Sequence, residues 1–555
     1  KSMSKIMEWL RRGQISKMLK YILSLGSAVP DKEIIMNLHP GTRDEKDCHP
    51  LTGEDMNQMD KLYKNFKSSN PKKCGKEPSM ETLREILAIV KKCDTTSAPG
   101  PSGESFETLV HYAKEVIYVQ VNGGTVERPS EIALSIAREI YHVAMGNVHE
   151  NSHVFYSQSL LNMIKKKGGG QRPIAMGESI RRIAGKYLVF LCHKEIERAL
   201  GPLQTAMRSN STQMVAMAIR VLMETHPEFI FFTPDCRNAF NSINRRKAIL
   251  AVAENIPMMI PYLKMIYKDG TAKLYVPELN WSILSREGTQ QGDPLGMLIF
   301  CFGIKSSVDA IDVKLSELKA TAPPEEAADD WCSVWYADDN LGATPFRIFP
   351  KIYKFMREQL KDELHLNLVD HKLHCYSPMH SPEKCEELVK EAFAEAKVDY
   401  DVNNGFKYGD GLIHGDDGLD LLGVPCSRSP VFHANIILKK FAAARKDWEM
   451  VRSFQDHNTK EHLPIDAQFN ILSKCIRARF THFARGIPPS ILMMPTNTES
   501  IRDLFAKYDI PHNCNLNLAE SIDDFIDKAY LELINLSHST TDALRKVMRR
   551  CQIVL

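Results

Sequence analysis

A chain of 555 residues, 43% hydrophobic and 25% charged, is too long for one ordinary domain and too apolar to be disordered. Its net charge of +2 does not announce nucleic-acid binding; cationic character is local, at Lys165–Lys167, Lys439–Lys440 with Arg445–Lys446, and Arg477–Arg485. Thirteen scattered cysteines, with no Cys-x-x-Cys pair and no zinc spacing, point to free thiols in a reducing, intracellular compartment.

In chain order, residues 1–78 read as a helical N-terminal extension. It opens on a basic amphipathic helix (Met3, Ile6, Trp9, Leu10 against Lys5, Arg11, Arg12) that lacks the apolar core of a signal peptide. It has a His-Pro-Gly turn at His39–Gly41 and ends in a polar linker, Lys67–Glu77. A second unit, 79–200, holds helices at Met80–Lys92 and Glu131–Met145 with a turn-rich loop, Ser97–Gly103, between them. A β-hairpin over 161–176 and a long apolar helix, Ile180–Ala199, complete it. The third unit, 201–425, starts with helix Gln213–Glu224, strand Phe229–Thr233 and helix Arg246–Asn255. A strand pair around Leu274–Leu284, a helix from Pro294, a hairpin around Asp338 and a helix at Pro350–Glu363 follow, with acidic Pro323–Asp330 as a surface loop. Residues 426–555 read as almost wholly helical. No apolar run reaches the length of a membrane span, so no membrane partner is expected.

Two segments carry the chemistry. Asp235 closes the apolar run Phe-Ile-Phe-Phe-Thr-Pro-Asp, and Asp338–Asp339 interrupt Val-Trp-Tyr-Ala-Asp-Asp-Asn-Leu-Gly-Ala. Asp-Asp occurs four times, at 329–330, 338–339, 416–417 and 523–524, so the dipeptide alone means little. Only the second lies between strand-forming residues, where two adjacent carboxylates repel unless a cation binds them. One strand end and one hairpin turn can together cradle two divalent ions about 3.5–4 Å apart, the arrangement that serves in-line phosphoryl transfer. Oxygen-only ligands favour Mg²⁺, with Mn²⁺ as a substitute.

Three further motifs surround these. Lys165-Lys166-Lys167-Gly-Gly-Gly-Gln-Arg172 reads as a hairpin with a glycine tip and cations on both arms, suited to a triphosphate. In Gln291-Gly292-Asp293-Pro294, glycine permits close backbone approach, Asp293 suits a helix N-cap and Pro294 the first helical position. Leu421-Leu-Gly-Val-Pro425 follows.

The order and spacing of Asp235–Ile243, Gly288–Gly296, Tyr336–Asp339 and Leu421–Pro425 resemble reverse transcriptases, most of all those of non-LTR retrotransposons, over roughly residues 85–490. The resemblance implies an α+β right-hand polymerase: fingers in 79–200, a palm in 201–425 whose antiparallel sheet carries the aspartates, and a helical thumb in 426–555. It implies an RNA-directed DNA polymerase that extends a DNA primer on an RNA template with dNTPs and two Mg²⁺ ions. Asp235 and Asp338 would ligate both metals and Asp339 would assist. Lys165 or Lys166, with Arg172, would meet the triphosphate, and Gln291 and Gly292 the nucleotide. Phe240 would wall off a ribose 2′-hydroxyl, though residue type alone fits an ordinary core aromatic equally well. Lys372 falls two residues later than the family pattern puts its lysine, and Met207–Thr212 lacks the glycines usual before the first Asp motif.

Two other classes stay open at this stage: an RNA-templated RNA polymerase, and an inactive scaffold that binds RNA. Against the first, Asn238 and Asn241 stand where a second acidic residue would hold the 2′-hydroxyl; against the second, a scaffold has no use for three clustered acids. No RNase H-like carboxylate array or endonuclease Cys/His cluster is legible. The start at Lys1 suggests a piece of a longer product, and a retrotransposon origin would place it in the nucleus.

Overall fold

A five-stranded sheet organises the middle of the chain. Its order is Ile413–Gly415, Leu373–Tyr376, Ile230–Thr233, Asp339–Thr344, Cys332–Tyr336. Only the first pairing is parallel. The central strand is buried on both faces, which is why Phe229 to Phe232 form an unbroken apolar run, none above 1% exposed. Successive side chains alternate between faces. Ile230 and Phe232 join a core with Phe300, Trp335 and Phe349. Phe229 and Phe231 pack instead with Ala216, Ile219 and Met223 of helix Ser211–Thr225 and with the hairpin Leu419–Leu421/Val424–Cys426. Full burial of each such aromatic stabilises by roughly 1.5–3 kcal/mol. Gly342 is a steric necessity, since a Cβ there would stand 2.1 Å from the Phe232 ring.

This computed structural model describes residues 3–533 apart from 12, 24–27, 40–47, 72–76, 96, 122–123, 166–169, 269–271, 328–329, 370–371, 399–412, 416, 457–458, 481–486 and 488. Helix Gly296–Ala320 packs against Arg245–Asn255 and Phe349–Leu364 behind the sheet. A second, four-stranded sheet runs Gln171–Gly177, Ser159–Lys165, Lys273–Val276, Trp281–Leu284. The fold is thus mixed helix and sheet, and among the described residues no single helix is long and apolar enough to cross a membrane.

The described helices of residues 1–78 pack on three different cores. Helices Met3–Arg11 and Ile15–Leu23 share a core with Pro430–Arg452, Ile465–Ile471 and Leu518–Leu533. Lys32–Leu38 lays Ile35 on the second sheet against Leu161, Met163 and Leu274. Gly53–Ser69 packs on Arg245–Asn255, where Asp55 and Arg246 pair at 2.8 Å. Each amphipathic stripe is claimed by a different core, which local periodicity cannot reveal.

Other differences are local. The helix expected over Ile180–Ala199 divides at Cys192 into Ser179–Leu191 and His193–Leu200. The helix expected from Pro294 begins at Gly296, and Asp293 caps the preceding turn, accepting from Leu295 N at 2.8 Å. An unexpected hairpin pairs Val116–Val121 with Gly124–Pro129, and Asn122-Gly123 between them was its legible signal. Pro40 and Gly41 of the expected turn and residues 72–76 of the expected linker lie outside the described residues, and Lys67–Ser69 belong to helix Gly53–Ser69 rather than to a linker. Ile6 is wholly buried in the shared N- and C-terminal core. Ile6→Ala is therefore expected to destabilise Pro430–Arg452 by about 2–4 kcal/mol, read as faster amide exchange in that helix; unchanged exchange there would show that the two ends do not share a core.

Candidate active site

Strand register brings the carboxylates together. Ile230 pairs with Thr344 and Phe232 with Gly342 in antiparallel sense. Carried on past Thr233, that register sets Asp235 level with Asp339. Cys332–Tyr336 and Asp339–Thr344 close on the pair Tyr336–Asp339, leaving Ala337-Asp338 as a two-residue turn beside them. The backbone at Asp235 is held in place by a third segment: Val369 N donates to Asp235 O and Arg237 N to Asn367 O, each at 2.9 Å.

The Asp338 turn stores strain. Ala337 adopts φ +55°, the left-handed region where a Cβ crowds the following carbonyl. Gln204, 1% exposed, clamps that residue from both sides. Its Oε1 accepts from Ala337 N at 2.9 Å and its Nε2 donates to Ala337 O at 3.2 Å. Adjacent backbone bonds, Trp335 N to Leu203 O and Thr205 N to Trp335 O, splice 203–205 onto the hairpin edge. Sequence reasoning missed Gln204, since a lone glutamine in a loop carries no signal.

The electrostatics follow from this convergence. Burial, then Asp235, push the Asp338 carboxyl up, while its own backbone, Arg172 and Lys372 pull the other way. Asp339 keeps one side open to solvent, yet burial and the charges of Asp338 and Asp235 raise it to about 6. Behind them, burial and then all three carboxylates push the Cys236 thiol up. Lys372 supplies a counter-charge, its Nζ 2.5 Å from Asp235 Oδ2. Asp235, Asp339 and Lys372 line a cavity of about 430 Å³ with Tyr336, Leu422 and Gly423. Among the described residues no three His, Cys, Asp or Glu side chains are gathered as a metal-ligand set. The donors themselves, oxygen-only and acidic, suit a hard divalent cation.

The loop from Ser285 to Asp293 is tightly braced. Gly288 N bonds Ile243 O (3.1 Å) and Thr289 N bonds Phe240 O (2.6 Å), fastening the loop to the segment after Asp235. Arg245, 2% exposed, donates to Gly288 O (2.8 Å) and Glu287 O (2.6 Å). On the other side Ala175 N of the basic hairpin donates to Gln291 O at 2.7 Å. Gly292 sits at φ +109°, and a Cβ there would meet Ala175 O at 2.4 Å, so only glycine fits. Gln291 Oε1 is buried without a partner, an acceptor awaiting a donor. Phe240 is half-buried and stacks on Phe300 at 4.6 Å. Arg172 and Lys165 are exposed on the hairpin Ser159–Lys165/Gln171–Gly177, and Arg172 is close enough to act on Asp338. Lys166 lies outside the described residues.

The chain is similar to the RNA-dependent RNA polymerase of a human picorbirnavirus, with 12% identity over 88% of this chain and 83% of that one, TM-score 0.40. An insertion-loop deletion mutant of that polymerase gives the same score and identity over 94% and 89%. Apo telomerase from Candida Tropicalis, truncated from its C-terminal domain, is similar at TM-score 0.30 and 12% identity over 48% and 59%. No family model and no curated protein matches.

Asp339 yields a pH prediction. Its carboxyl stands at about 6 in the folded protein against 3.8 as a free group, so folding takes up a proton between those values. The ionised form therefore costs stability above about pH 6, and the cost vanishes below the unfolded value. Asp339→Asn should raise the thermal midpoint of the metal-free protein by a few degrees near pH 8, with the gain shrinking as pH falls through 6. A lower midpoint near pH 8 would contradict this.

Proposed function

We propose that this chain is a template-directed nucleic-acid polymerase of right-hand architecture, and specifically an RNA-directed DNA polymerase of the non-LTR retrotransposon kind. One observation carries the reading: strand register sets Asp235 level with Asp339 at a cavity that both line, Asp338 stands in the adjoining turn, and Asp338 lies within electrostatic reach of Arg172 on the basic hairpin. The five-stranded sheet would be the palm, the hairpin part of the fingers and the C-terminal helices the thumb. Template RNA, primer DNA and dNTPs are the proposed partners, and the nucleus, a reducing compartment, the proposed setting.

Asp235 and Asp338, assisted by Asp339, would hold two Mg²⁺ ions, which when bound acidify the primer 3′-hydroxyl and neutralise triphosphate charge. The remaining work falls to the chain's own residues. Arg172, with Lys165 or Lys166, receives the triphosphate through charge-assisted hydrogen bonds. Gln291 offers its unpartnered acceptor and Gly292 its close backbone to the nucleotide. Phe240, braced by Phe300, closes the space at the sugar C2′. Lys372, already against Asp235, brings positive charge to the side from which pyrophosphate departs. A phosphodiester bond forms at the α-phosphorus as its bond to pyrophosphate breaks.

Purified protein should extend a DNA primer on RNA with dNTPs and Mg²⁺, and Asp338→Ala should lower extension by at least about a thousandfold. Extension that survives the substitution rejects the assignment. Phe240→Val should admit ribonucleotides, raising their kcat/KM roughly tenfold or more against dNTPs. Unchanged discrimination removes the gating role, and a wild-type preference for ribonucleotides would make the enzyme an RNA polymerase.

A further inference from the structure

A buried cation lies between the basic hairpin and the glycine loop. Arg181, in helix Ser179–Leu191, is 0% exposed. Its Nη1 donates to the carbonyls of Tyr156 (3.1 Å), Ser157 (3.3 Å) and Gln158 (3.4 Å) and to Ser159 Oγ (3.3 Å). Its Nη2 donates to Gln290 Oε1 at 2.9 Å and to Asp293 Oδ2 at 2.6 Å. Gly177 makes room for the group, because a Cβ there would stand 2.8 Å from the guanidinium carbon. Burial works against the charge, but Asp293, Tyr262 and Tyr267 together more than offset it, so the side chain remains a cation.

The contacts fall into two sets. Nη1 grips the entry to the hairpin strand Ser159–Lys165, and Nη2 grips the loop at Gln290 and Asp293. Between the two loop contacts lie Gln291 and Gly292, one with its unpartnered acceptor, the other in backbone contact with Ala175. A cap for Leu295 N needs only the Asp293 carboxylate, which an isolated aspartate could provide. The planar guanidinium adds a fixed separation between hairpin and loop, which a lysine, as a point charge, cannot reproduce.

We propose that Arg181 is a positioning residue for the incoming nucleotide, holding the Gln290–Asp293 turn at a set distance from the hairpin that carries Arg172. The inference rests on the polymerase reading and deepens it by naming what aligns the nucleotide loop. Arg181 touches no substrate; it acts through Gln290 and Asp293.

Single-nucleotide incorporation on a preformed RNA–DNA template–primer tests this, with KM for the nucleotide, kcat, template–primer Kd and thermal midpoint measured together. Arg181→Lys should raise nucleotide KM roughly 10- to 100-fold while the template–primer Kd stays within about twofold. Gln290→Met, which leaves the buried ion pair intact and cuts the neutral half of the grip, should shift KM in the same direction by a smaller factor and remain folded if the lysine variant does not. A folded variant of either kind with wild-type nucleotide KM overturns the proposal. So does a rise in KM matched by an equal rise in template–primer Kd, the signature of general loosening. Wild-type protein that incorporates no nucleotide at all rejects the polymerase reading itself, a result separable from these.

Discussion

Like charge held against itself is the constraint on which this molecule turns. Three carboxylates lie at adjacent strand ends: burial and the charge of Asp235 raise Asp338, burial and the charges of Asp338 and Asp235 raise Asp339, and burial with all three charges raises the thiol behind them. Buried like charge of this kind costs stability unless a cation offsets it. The surroundings are built to hold it in spite of the repulsion. Gln204 pins the left-handed Ala337, Gly342 lets Phe232 cross the sheet, and the 367–369 segment fastens the backbone at Asp235. Strain and charge thus concentrate at one place, as they do where a site is organised before its ligand arrives.

A second constraint is mechanical. The loop from Ser285 to Asp293 is gripped by two buried arginines, Arg245 at its start and Arg181 at its end. Backbone bonds tie the same loop to Phe240 and Ile243 on one side and to Ala175 on the other. The loop therefore links the basic hairpin to the segment following Asp235 through continuous hydrogen bonds. A nucleotide seated between Arg172 and Gln291 would be read by parts that cannot shift independently.

Much of this was legible in the chain. The run Phe229–Thr233 announced a strand, and Asp338–Asp339 stood out because strand formers flank them. Glycines 288 and 292 sit at positive φ, as a close-approach loop requires. What stayed hidden depends on distant partners. Gln204 gives no pattern, and Arg181 looks like any helix arginine until Asp293, over a hundred positions later, arrives beside it. The dispersal of residues 1–78 over three cores was invisible for the same reason: an amphipathic stripe shows that a helix will be buried and leaves open against what. Lys372, late by the motif's spacing, nevertheless reaches Asp235.

The most direct measurement counts metal ions. Mn²⁺ bound by the protein with an RNA–DNA template–primer, its primer blocked at the 3′ end, and the matching dNTP can be titrated by electron paramagnetic resonance. The account predicts two ions per chain in that complex and loss of both on Asp235→Asn in a folded protein. Mn²⁺ binding undiminished by that substitution would mean that the three carboxylates do not act together, and the central claim would fail.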